Sequence, residues 1–270
     1  MYAALRTLLL SILLLWGLGS AVCAAEFSDS QREEMEAIIK DYLLANPELL
    51  RDMSQLLEQK EKLTEDQQRK GALVSNADQI FRDGTDFVAG NPNGKVTMVE
   101  FFDYNCGWCK KGFPEVMSLL EADKDLKFVL KEFPIFGGDS DYAAQAAIAA
   151  SKQGKYWALH VAMFSHEGKI TKEAVDEIAA AQGLDMAQLK KDMESPETAG
   201  ILERNRALAQ SLAINGTPAF IIDDKLVPGY LPKAELASAI NDVRAKGGCS
   251  LCRRPALPCP PVTAYNTSTA

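Results

Sequence analysis

The sequence predicts an α/β fold with an inserted helical subdomain, preceded by a separate N-terminal helical segment. Three observations carry this. A β-branched, apolar run from Val96 to Tyr104 leads into Cys106-Gly107-Trp108-Cys109 and hands over to an apolar–polar helix pattern. A second buried-looking strand, Leu126 to Phe133, follows that helix, which implies a parallel pair joined by a crossover. From Ser140 to Ile214 the pattern is helical only, and strands then resume.

Taken in order, residues 1–25 read as a secretory signal peptide. Arg6 supplies a positive start, Leu8 to Leu18 an apolar stretch, and Ser20 to Ala25 small residues with cleavage after Ala24 or Ala25. The stretch is too short and wrongly flanked for a retained span. Val22 and Ser20 fit a lipid-attachment box at Cys23 poorly. Residues 26–75 form the N-terminal helical segment. Ser30-Gln31-Arg32-Glu33 reads as a capping box, and Met35, Ile38, Ile39, Tyr42 and Leu43 mark an apolar face. Asn46-Pro47 reads as the start of a second helix, striped by Leu49, Leu50, Met53, Leu56, Leu57 and Leu63. Such stripes must be buried somewhere. The segment is long and compositionally separate, which favours pairing with copies in other subunits over packing on its own catalytic domain.

Residues 76–247 form the main domain. A connector holds an edge strand around Ile80 to Val88, before the turn Gly90 to Gly94. The central strand, the helix from Cys106 and the Leu126 strand follow, closed by Pro134. The helical insertion spans about 140–214, with Gly154, Gly168 and Gly183 as punctuation. Ala219 to Ile222 and Leu226 to Val227 form a hairpin about Asp223-Asp224, and a last helix runs from Pro232 to Lys246. The Cys- and Pro-rich tail, 248–270, reads as disordered.

Composition narrows the chemistry. Lys and Arg total 29 against 37 Asp and Glu, a net charge of −8 with no basic block, so nucleic acid is not an expected partner. Six cysteines and two histidines argue against a His-rich metal centre. A strand ending in C-x-x-C at a helix start is the layout of a thioredoxin-type redox centre. The helix N-terminus favours the Cys106 thiolate, the form that attacks disulfides, and Cys109 lies one turn on, within reach to resolve a mixed disulfide. An exported protein with this pair works where disulfides persist, the periplasm of a Gram-negative bacterium. Trp108, between the cysteines, is expected to be exposed and to shape the substrate surface. His160 reads as a packed helix residue and His166 as a solvated turn residue, neither supporting a Cys–His dyad. Cys249 and Cys252, with Cys259 beyond, lack a preceding strand and read as a local disulfide or incidental cysteines. Zinc shared between the two C-x-x-C pairs is disfavoured because it would consume the nucleophile.

Glu100-Phe101-Phe102-Asp103-Tyr104-Asn105-Cys106, Lys131-Glu132-Phe133-Pro134, Asn215-Gly216-Thr217-Pro218-Ala219-Phe220 and Val227-Pro228-Gly229 resemble the DsbA family of thioredoxin-fold proteins. The resemblance spans roughly Ile80 to Lys246, and the N-terminal segment resembles that of the suppressor-of-copper-sensitivity protein C subgroup. It implies a thioredoxin fold and thiol–disulfide exchange. Cys106 matches the exposed nucleophile, Cys109 the buried resolving thiol, Thr217-Pro218 the cis-proline loop facing the disulfide, and Glu100 a buried acid that moves protons. No cofactor is implied beyond the redox-active Cys106–Cys109 disulfide. The implied partners are exported proteins with cysteines, a membrane reductase or oxidase that recycles the pair, and further copies of the chain, a trimer in that subgroup. The family's strong oxidases carry a histidine between the cysteines. Gly107-Trp108 has no cationic group, which shifts the expectation toward a disulfide isomerase or reductase, with a DsbA-type oxidase and a copper(I)-sequestering thiol protein as alternatives.

Overall fold

The computed structural model describes residues 27–253, so the expected leader and most of the expected tail lie outside the described residues. The chain divides into two compact units, one ending at Lys62 and one beginning at Leu63. In the first, helix α1 spans Asp29–Ala45 and no residue of it is buried. Its capping box is built on Ser28, two residues before the expected one: Ser28 Oγ accepts the Gln31 N–H and Gln31 Oε1 accepts the Ser28 N–H. Asn46 closes α1 rather than opening the next helix, because its side-chain amide donates to the Tyr42 carbonyl at 2.8 Å. Helix α2 runs Glu48–Ser75, and its only buried residue is Leu73.

The second unit is built on a five-stranded sheet ordered β1-β3-β2-β4-β5. Its strands are β1 Phe87–Gly90, β2 Val96–Phe102, β3 Leu126–Glu132, β4 Ala219–Ile222 and β5 Lys225–Pro228. The β2–β3 pair is parallel, as the crossover through helix α4 (Gly107–Ala122) requires, and the other pairs are antiparallel. Every residue of β2 is buried. A strand covered on both faces carries a continuous apolar run instead of alternation, which is why Val96 to Phe102 reads as it does. The edge strand expected around Ile80 to Val88 is corrected. Ala77–Phe81 is a short helix, α3, burying Ile80 and Phe81, and β1 begins only at Phe87. Between them Asp83 Oδ1 accepts from the Thr85 N–H and hydroxyl, a side-chain turn that breaks the run. Short apolar runs do not distinguish helix from strand.

The helical insertion contains α5 Gly138–Ser151, α6 Tyr156–Ser165, α7 Lys172–Ala181, α8 Met186–Met193 and α9 Pro196–Ser211. Thr171, Asp185 and Ser195 cap the last three through their side-chain oxygens. The alanines of α5 are buried, letting neighbouring helices approach closely. A buried polar seam joins insertion to sheet: the Tyr104 and Tyr156 hydroxyls both donate to Glu132 Oε1, at 2.9 and 2.7 Å. Helix α10, Lys233–Ala245, completes the unit. Residues 248–253, part of the tail expected to be disordered, are instead held in place. Cys249 N–H donates to the Lys95 carbonyl, Asp223 Oδ1 accepts from the N–H groups of Ser250 and Leu251, and Cys249 is disulfide-bonded to Cys252. Asp223 sits in the left-handed region (φ 54°) of the β4–β5 turn, which aims its carboxylate at that segment.

A cysteine pair at the end of the central strand

Beyond β2 the chain turns once and enters α4 with Cys106 as its N-cap, in extended conformation and with no side chain capping the helix. The sulfur therefore meets the free N–H groups of the first turn. Cys106 is held down to a pKa of about 6, first by the Cys109 thiol, which donates to its sulfur, then by Thr217 and by the N–H groups of Cys109 and Trp108; partial burial opposes them. The Cys109 thiol is driven far up by burial, by that same donation and by the charge of Glu100. The two sulfurs of one motif are thus opposites: one ionises readily, the other stays protonated. Cys106, expected to be exposed, is only 4 % exposed against 1 % for Cys109, because the loop before β4 closes over it. There the Thr217–Pro218 bond is cis, and the Thr217 carbonyl oxygen lies 3.2 Å from Cys106 Sγ. Trp108 is 56 % exposed beside it, as expected.

Glu100 lies in the middle of β2, in register with Leu130 on one side and Phe220 on the other. It is buried, which pushes its pKa up to about 8, with the Cys106 charge adding to the shift. The structure thus gathers Cys106, Cys109, Thr217 and Pro218 at one end of the sheet, with Glu100 buried two residues inside the end of β2. It leaves the second C-x-x-C apart. Cys249 is bonded to Lys95, before the start of β2, whereas Cys106 follows its end. Among the described residues no group of three or more His, Cys, Asp or Glu converges as a metal-ligand set.

Sequence reasoning missed the residues that hold the loop. Asp103 is 2 % exposed and is the hub. Its Oδ1 accepts from the Asn105 N–H (2.7 Å) and the Ser140 hydroxyl (2.8 Å), and its Oδ2 from the Ile135 N–H (2.8 Å). Asn105 then reaches into the insertion, donating to the Ile170 carbonyl and accepting its N–H. His160, expected to be packed, is buried and 3.0 Å from the Tyr104 hydroxyl, and burial pushes its pKa down to about 3. An acid and an amide within the three residues before a C-x-x-C were the available signal, since neither suits a strand end without partners.

Residues 97–241 match the family model of the DSBA-like thioredoxin domain, and residues 31–62 that of the copper resistance protein ScsC N-terminal domain. A thioredoxin-like oxidoreductase from Silicibacter pomeroyi DSS-3 is 46 % identical, with a TM-score of 0.61 over 62 % of this chain and 97 % of that one. Proteus mirabilis ScsC in a transitional conformation is 26 % identical, with a TM-score of 0.62 over 82 % of this chain and all of that one (100 %). Among curated relatives, the Na(+)/H(+) antiporter NhaA 3 of Salinispora tropica is 26 % identical over 57 % of this chain. The chain spans about a quarter of that antiporter's length, 24 %.

Proposed function

The chain belongs to the DsbA-like thioredoxin domain family, and from that premise we propose that it is a thiol–disulfide oxidoreductase of the DsbA/ScsC type, a periplasmic disulfide isomerase or reductase acting on exported proteins as a homo-oligomer. The observation that carries the reading is the asymmetry of the pair, an ionisable Cys106 over a protonated Cys109. The Cys106 thiolate attacks one sulfur of a substrate disulfide. That S–S bond breaks, a mixed disulfide forms, and the leaving substrate thiolate takes a proton. For isomerisation, another substrate thiolate attacks the mixed disulfide and releases Cys106. For reduction, Cys109 attacks Cys106 Sγ; the substrate gains two electrons and two protons, and Cys106–Cys109 becomes the disulfide. Glu100, with a pKa of about 8, is suited to take the Cys109 proton at that moment. The Thr217 carbonyl, which the Cys106 thiol meets in the free protein, is suited to pair with a substrate strand once Cys106 is engaged.

Two features support isomerase or reductase over oxidase. Cys106 is lowered by hydrogen bonds and not by a cation: Lys110 Nζ is turned to the carbonyls of His166 and Gly168, and Lys111 Nζ lies over the Trp108 ring. Its pKa of about 6 is far less depressed than the roughly 3.5 that marks a strongly oxidising dithiol. The apolar faces of α1 and α2, exposed in the single chain, support assembly through the N-terminal segment. The copper in the name of the matched N-terminal family supports a second reading, Cu(I) held by Cys106 and Cys109.

The test is reactivation of a ribonuclease with scrambled disulfides. The mature protein is expected to reactivate it, Cys106→Ala to lose all activity, and a chain starting at Gly71 to lose most of it. Weak activity in both lengths with rapid oxidation of reduced peptides would make this an oxidase. Tight stoichiometric Cu(I) binding with no exchange would favour the second reading.

A further inference from the structure

A cleft of about 740 Å³ opens beside the nucleophile, bounded by Asn105 and Gly107, the residues on either side of Cys106. Its lining also carries Lys110, Lys169 and Lys172, with one carboxylate, Asp139. That carboxylate is already committed. Lys169 Nζ lies 2.7 Å from it and the Lys172 N–H also donates to it, which together hold its pKa below the ordinary value. Lys110 is held by main-chain carbonyls of His166 and Gly168, which orient an ammonium without neutralising it. Glu167 and Glu173, adjacent in sequence to lining residues, do not line the cleft, and the Glu173 carboxylate acts on Lys172 and Asp139 from outside it. The lining thus keeps two positive charges in excess in a protein whose net charge is −8. Phe136, 61 % exposed, forms one edge of the cleft, and Trp108, 56 % exposed, lies next to Gly107.

We propose that this lysine-lined cleft selects polypeptide substrates carrying an acidic side chain within about three residues of the cysteine that reacts with Cys106, a distance of roughly 10 Å along an extended strand. The inference rests on Cys106 being the exchanging thiol. Apolar edges hold a segment of chain, and the ammonium groups choose among segments by charge. Exposed charge pairs of this kind are worth up to about 1 kcal/mol, a preference of about fivefold, and they weaken with salt.

The test uses three reduced dithiol peptides, identical except for Glu, Gln or Lys two residues from the reacting cysteine. Each is mixed with the oxidised full-length protein, and Trp108 fluorescence reports reduction of Cys106–Cys109. Two electrons and two protons pass from peptide to protein, and the peptide leaves as its disulfide. Intrinsic reactivity runs against the expected order, because Lys favours a neighbouring thiolate and Glu opposes it. Rates are therefore divided by each peptide's rate with a small uncharged disulfide. The Glu peptide is expected to react about fivefold faster than the Lys peptide, with the ratio falling toward one at high salt. In Lys169→Glu/Lys172→Glu the order is expected to invert. Equal rates for Glu and Lys peptides, with the Gln peptide reacting, would overturn the cleft and leave the exchange reading standing. Failure of all three peptides would overturn both.

Discussion

Cys106 and Cys109 are the same residue type three positions apart, yet their surroundings give them opposite acidities. The consequence for reactivity is direct. In the reduced protein, carbamidomethylation of Cys106 is expected to rise with pH to a half-maximum at about 6 and to level off above it. An ordinary thiol would reach its half-maximum only at about 8.5 and keep rising above it. Since the Cys109 thiol is the largest cause of the lowering, Cys109→Ala should move the half-maximum upward. An unmoved half-maximum would assign the effect to Thr217 and the N–H groups of the first helical turn. How much of this was legible differs residue by residue. The pair and its strand–helix context are local in sequence, and the cis loop at Thr217-Pro218 was reachable through the resemblance. Asp103 was not, because its partners Ile135 and Ser140 lie more than thirty positions away, and only folding reveals that one carboxylate serves them both. The Glu132 seam was hidden for the same reason, since Tyr104 and Tyr156 meet it from different elements.

At the scale of elements, the 3.6-residue and near-continuous apolar patterns located β2, β3, β4 and the helical insertion, because each buries a face large enough to leave a pattern. Failures fell on short elements. At Ile80 a turn built by Asp83, and at Asn46 a side-chain contact to Tyr42, decided the outcome over propensity. The N-terminal helices raise a different question, since their pattern is clear but its partner is absent from the single chain. Ile39 in α1 is 58 % exposed, and Leu50 and Leu57 in α2 are 66 % and 56 % exposed. Burying each such side chain contributes about 2 kcal/mol. Sedimentation of the mature protein is expected to show an oligomer, and Ile39→Lys with Leu57→Lys to give a monomer with unchanged far-ultraviolet circular dichroism. A wild-type monomer at micromolar concentration would remove the role assigned to these faces.

For the molecule as a whole, three buried carboxyls set a pH dependence. Burial raises Glu100 and Glu132 to about 8 and Asp86 to about 6, the last despite its buried ion pair with Lys131. A carboxyl whose pKa is raised on folding contributes stability that is complete below its unfolded value and lost as pH climbs through its folded one. His160, pushed down to about 3, acts oppositely, but only below its unfolded value of 6.5. Between pH 6.5 and 8 the two glutamates act without that opposition. The oxidised protein, which has no ionisable Cys106, is therefore expected to lose thermal stability across that interval. Glu132→Gln should lessen the loss, even if it lowers the melting temperature at pH 6.5. A melting temperature that rises from pH 6.5 to 8 would contradict the placement of both carboxyls.

The C-terminal turn has a practical consequence for presenting this protein. Cys249 is fastened to the residue before β2, and the active-site loop begins after its last residue, Phe102. Seven residues of strand span about 23 Å. The segment ending at Arg253 thus lies toward the end of the sheet opposite the reactive sulfur. Anchoring the protein there to a bead or sensor surface leaves the Cys106 end of the sheet facing the solution, whereas an attachment on the insertion near Lys169 would crowd the mouth through which substrates arrive.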